Sequence, residues 1–139
     1  MDNRDRIARA FVGARQQARA LPTYPGERPT TLVEAYAIQD RAIAIDGRQV
    51  VGWKVGRINA PLDGTLGSNR LAGPIFADQV VGADTEQLPV IADGFAAAEA
   101  EYCVRIGRSS AGLSGLTLDQ ALELVDAVHV GVEIASSPY

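Results

Sequence analysis

The chain has 139 residues, 47% of them hydrophobic and 22% charged, and a formal net charge of −4. That balance fits one globular domain rather than a disordered chain. It argues against nucleic acid, whose phosphates need a basic face. No apolar run approaches the roughly 20 residues that span a bilayer.

Residues 4–21 read as a helix, with Ile7, Phe11, Ala14, Ala18 and Leu21 recurring at three- and four-residue spacing. Arg4, Arg6, Arg9, Arg15 and Arg19 line the same segment, but Asp2 and Asp5 lie among them. With no apolar stretch of signal-peptide type there, a solvated helix face is expected rather than a targeting peptide. Pro22, Pro25, Gly26 and Pro29 then mark a loop. A second helix starts near Thr31, which has Glu34 at capping-box spacing. It carries the stripe Leu32, Ala35, Ile38, Ala42 and Ile45, with Gly47 as its stop.

The period then changes. Residues 49–55 are valine-rich and strand-like. Alternation puts Val50, Gly52 and Lys54 on one face, with Val51, Trp53 and Val55 expected to fill the core on the other. Residues 57–74 hold five glycines or prolines and read as a long loop. Leu66, near its middle, is either an ordinary loop residue or one that lines a substrate pocket. Residues 75–81 read as a second strand and 89–94 as a turn. Residues 97–106 alternate strictly and form a strand, 107–115 a Gly/Ser-rich turn, and 117–125 a short helix with Thr117 and Gln120 as its capping box. Residues 127–134 form the last strand. Helices first and strands after give an α+β fold, with a helical region over 1–48 and a β-rich region over 49–139.

Three residue types bear on chemistry. Lys54 is the only lysine among the 13 basic residues. It is either chance or a position needing an ammonium that can lose a proton, which arginine does not readily do. Cys103 is the only cysteine, so no intrachain disulfide forms; a packing role and a reducing, cytoplasmic setting are the expectation. Glu99 and Glu101 share one strand face, opposite Ala98, Ala100, Tyr102, Val104 and Ile106. On the last strand, His129, Gly131 and Glu133 share a face opposite Val128, Val130, Val132 and Ile134. Such acidic alternation marks either a wet outer face or paired carboxylates held together by a hard cation. His129 reads as a supporting residue rather than a ligand.

Four motifs occur in order: G-W-K-V-G at 52–56, G-P-I-F-A-D at 73–78, A-E-A-E-Y at 98–102 and G-V-E-I-A-S-S at 131–137. With A-Y-A-I-Q-D-R-A at 35–42, the series resembles the 2-keto-4-pentenoate hydratase and oxalocrotonate decarboxylase family, related in fold to the fumarylacetoacetate hydrolases. The resemblance spans nearly the whole chain. It implies a divalent metal, Mg²⁺ or Mn²⁺, on Glu99, Glu101 and Glu133. It implies Lys54 as a catalytic and substrate-binding lysine in the same cleft. It also implies a mixed β-roll or barrel-like core, a homo-oligomer, and a small 2-oxo or 2-hydroxy dienoic acid as substrate. Hydratase chemistry is the first expectation. Oxalocrotonate-type decarboxylation, a non-catalytic truncated fragment and a fumarylacetoacetate-type hydrolase are the alternatives.

Two departures stand out. Leu71 and Ala72 precede Gly73 where the family often has an aspartate, and Asp78 lies too far along to replace it. Family members are also nearly twice as long, which makes a C-terminally truncated member the expectation.

Overall fold

The structure is a computed structural model describing residues 2–139. Its element order is α1 (Asn3–Gln16), α2 (Leu32–Asp46), β1 (Val50–Arg57), α3 (Leu62–Leu66) and β2 (Arg70–Phe76). A 3₁₀ turn (Ala77–Gln79), β3 (Phe95–Ile106), α4 (Leu118–Leu122) and β4 (Val125–Ser137) follow. The fold is α+β, with helices first and antiparallel strand pairs after. Two compact units are present. One runs through Phe95 and takes back Ser136–Tyr139; the other is Ala96–Ala135.

In the first unit, α1 packs on α2. Its buried residues are Ile7, Ala8, Val12 and Ala14, so the core stripe runs through Ala8 and Val12 while Phe11 is half-buried. α1 stops at Gln16, short of the expected residue 21, because Ala18 turns into the left-handed region at φ 47°. Arg19 then bridges Ala92 in parallel fashion. An extended segment tied to a distant part of the chain satisfies its backbone there, and tertiary pairing overrides the helical pattern.

α2 matches its sequence signals. The Thr31 hydroxyl accepts from the Glu34 amide, the Glu34 carboxylate caps the Thr31 amide, and Gly47 closes the helix at φ 74°. Asp5 ties the helices together, accepting from Arg9 at 2.8 Å and Arg41 at 2.7 Å. Tyr36 and Gln39 hold α2 to β2: the Tyr36 hydroxyl accepts from the Ala72 amide at 3.0 Å, and Gln39 donates to the Ala72 carbonyl at 2.9 Å.

β1 and β2 form an antiparallel ladder from Val50↔Phe76 to Arg57↔Arg70. The expected loop over 57–74 therefore contains α3 and most of β2, and the second strand lies at Arg70–Phe76 rather than 75–81. Gly73 and Pro74 hid it. Proline donates no ladder bond, but a two-stranded sheet has only edge strands, where its missing N–H can face outward. Beyond β2, Asp78 is engaged by Arg48 at 3.2 Å. Arg48 also lies 4.2 Å over the Phe76 ring and donates to Asp46 at 2.5 Å.

The faces of β1 are reversed from expectation. Val50, Gly52, Lys54 and Gly56 are half-buried, whereas Val51, Trp53 and Val55 are exposed, Trp53 at 52%. Gly52 and Gly56 explain it. A Cβ at either would lie against the Ile75 or Leu71 side chain across the ladder, so β2 residues close over the glycine face. Trp53 consequently fills no core.

The end of the chain belongs to this unit. Pro138 is fully buried, its carbonyl accepts from the Leu21 amide at 2.7 Å, and Ser136 accepts from the Ile91 amide at 2.9 Å. Tyr139 meets the Tyr24 ring edge-on at 5.7 Å between centroids, and Arg28 donates to its hydroxyl.

The expected mixed β-roll or barrel-like sheet is not what the described residues form. They make two separate two-stranded sheets, β1–β2 and β3–β4, with no closed barrel. Each sheet joins two strands consecutive in the chain, the pairing that costs least loop-closure entropy. A barrel also needs ladder bonds that join one such pair to the next. Among the described residues, no helix is long and apolar enough to cross a membrane.

Candidate metal centre

The second unit is built on the β3–β4 pair. Alternation along β3 leaves Ala97, Glu99 and Glu101 half-buried, while Ala98, Ala100, Tyr102 and Val104 are exposed. Along β4, Ala127, Gly131 and Glu133 are half-buried, and Val128, Val130 and Val132 are exposed. The more sheltered face of this hairpin is thus the acidic one. Its uncharged face is open, with Tyr102 at 79% and Val130 at 82% exposure.

The pairing places Glu133 beside Glu99 and Glu101. One carboxylate oxygen from each lies within 4.8 Å of the other two. Three anionic oxygens this close repel one another by Coulomb's law. A cation among them converts that repulsion into attraction. The donor set is all oxygen, which suits a hard ion such as Mg²⁺ or Mn²⁺. Two ligands on opposite sides of Mg²⁺ stand about 4.2 Å apart, a span of the same order as the spacing of these oxygens.

The hairpin's register shows at two glycines. A Cβ on Gly131 would come within 2.9 Å of Cys103 Sγ, and one on Gly107 within 2.7 Å of Asp126 Cβ. Gly131 therefore sits against Cys103 on the acidic face, two residues from Glu133 on its own strand, while Cys103 is two residues from Glu101. Cys103 is exposed and does not fill a core as expected. His129 is exposed as well and is not among the three residues whose ligand atoms converge. Arg105 donates to Asp126 at 2.6 Å toward the turn end of the hairpin.

Lys54 and Leu66 belong to the first unit. Lys54 lies on the half-buried glycine face of β1, opposite Gly73. Leu66 ends α3 just before Gly67, which takes the left-handed conformation at φ 66°. It lines a groove of about 500 Å³ with Leu32, Ile58, Leu62 and Leu71, and Arg57 is a further lining residue. Lys54 is not part of that lining. A charged residue at a strand end carries no signal of its own in the sequence, and only the fold brings α2, α3 and β2 around Arg57.

Shifted ionisations in the first unit have local causes. The Arg48 side-chain hydrogen bonds hold the Asp46 carboxyl below its usual range, and the bonds from Arg9 and Arg41 do the same for Asp5. Glu34 is lowered by its hydrogen bonds from Thr30 and Thr31. Burial lowers Arg15 and raises Tyr24.

No protein-family model, curated protein or solved structure matches this chain.

Proposed function

We propose that this protein is a divalent-metal-dependent lyase. In this reading it hydrates 2-hydroxypenta-2,4-dienoate to 4-hydroxy-2-oxopentanoate in the breakdown of aromatic ring-cleavage products. The observation that carries the reading is the convergence of Glu99, Glu101 and Glu133 within 4.8 Å on the sheltered face of one hairpin. The ordered motifs of the sequence support it independently, because they single out these same three carboxylates.

Glu99, Glu101 and Glu133 would hold Mg²⁺ or Mn²⁺ through oxygen and leave open positions for a substrate carboxylate and its C2 oxygen. The bound ion supplies Lewis-acid stabilisation of the negative charge that develops on that oxygen. The reaction itself balances without a further co-reactant. The dienol ketonises as a proton reaches C5, water adds its oxygen at C4, and a proton ends on C3. By the resemblance of its motif alone, Lys54 would either relay one of these protons or anchor the substrate carboxylate. An ammonium serves both roles, whereas a guanidinium serves only the second. The reading includes a cytoplasmic homo-oligomer as the working form.

The test is an assay of purified protein with Mg²⁺ or Mn²⁺ against 2-hydroxypenta-2,4-dienoate and 2-oxo-3-hexenedioate, following the substrates' ultraviolet absorbance and carbon dioxide release. Hydration of the first substrate, abolished by a chelator and restored by metal, is the expected result. Carbon dioxide from the second would make it a decarboxylase instead. No metal-dependent turnover of either would overturn the proposal.

A further inference from the structure

We draw no further inference here: the strongest candidate, the uncharged face of the β3–β4 hairpin formed by Tyr102, Val104, Ile106, Val128, Val130 and Val132, stands exposed, and nothing in the structure shows what covers it.

Discussion

Replacing Glu133 by glutamine tests the metal centre most directly. The change keeps an oxygen donor of nearly the same shape and removes one charge. A divalent ion about 2.1 Å from that oxygen loses about 4 kcal/mol of attraction at the dielectric of water. The repulsion of Glu133 by Glu99 and Glu101, whose oxygens lie within 4.8 Å, is present with and without the ion and cancels from the binding difference. The loss is therefore about 4 kcal/mol, or about 10³-fold in affinity. Partial burial of the three side chains lowers the effective dielectric and enlarges this loss without changing its sign. The assay is a titration of metal-free protein with Mn²⁺, read by the paramagnetic resonance of the free ion. Circular dichroism confirms that the variant is folded. Glu86→Gln, an exposed acidic position in the first unit, is the control and should bind as the unaltered protein does. If Glu133→Gln binds Mn²⁺ within about threefold of the unaltered protein, the three carboxylates are not a metal site. Absence of saturable binding in the unaltered protein would refute the reasoning more simply.

Lys54→Ala is expected to cost about 10²- to 10⁴-fold in turnover with metal binding retained, the range for a lost general acid–base group. Lys54→Arg separates the roles: activity near that of the unaltered enzyme means an anchor, loss equal to that of Lys54→Ala means a proton relay, and unaltered rates in both variants would remove Lys54 from the chemistry. Gly131→Ala should destabilise the hairpin by about 1–3 kcal/mol, because its methyl would press on Cys103 Sγ. Adding Cys103→Ala should recover most of that loss, and an unshifted melting temperature in Gly131→Ala would disprove the register. Asp46 is 5% exposed at its side chain and accepts from Arg48 at 2.5 and 3.0 Å, so Asp46→Asn should cost about 2 kcal/mol. Its carboxyl is lowered in the folded state. The stability it contributes is therefore fully present above the unfolded value of about 3.9 and is lost as pH falls through the lowered folded value. Urea midpoints at pH 7 and in the acid range should converge for Asp46→Asn and the unaltered protein; a gap that stays constant with pH would contradict this.

Local chemistry made α2 legible from sequence. Thr31 and Glu34 close a capping box and Gly47 supplies a left-handed stop, and these signals involve residues a few positions apart. The same holds for the Thr117–Gln120 box that opens α4. Strict alternation identified β3 and the shared face of Glu99 and Glu101, because a strand's two-residue period is a property of its own backbone. What alternation leaves open is which face is sheltered. On β1 the apolar side, Trp53 with its two valines, proved the exposed one, because Ile75 and Leu71 close over the glycines on the other. β2 was concealed by Gly73 and Pro74, whose place in a strand depends on a partner's ladder rather than on their own propensity. The end of α1 was misjudged for a related reason: the chain after Gln16 is claimed by Ala92 and Pro138, residues far along the sequence. The sequence by itself determined the starts of α1, α2 and α4, the class of fold and the identity of the acidic residues. Only the tertiary structure brought Glu133 to the other two, since the pairing of β3 with β4 depends on contacts between distant residues that no local pattern encodes.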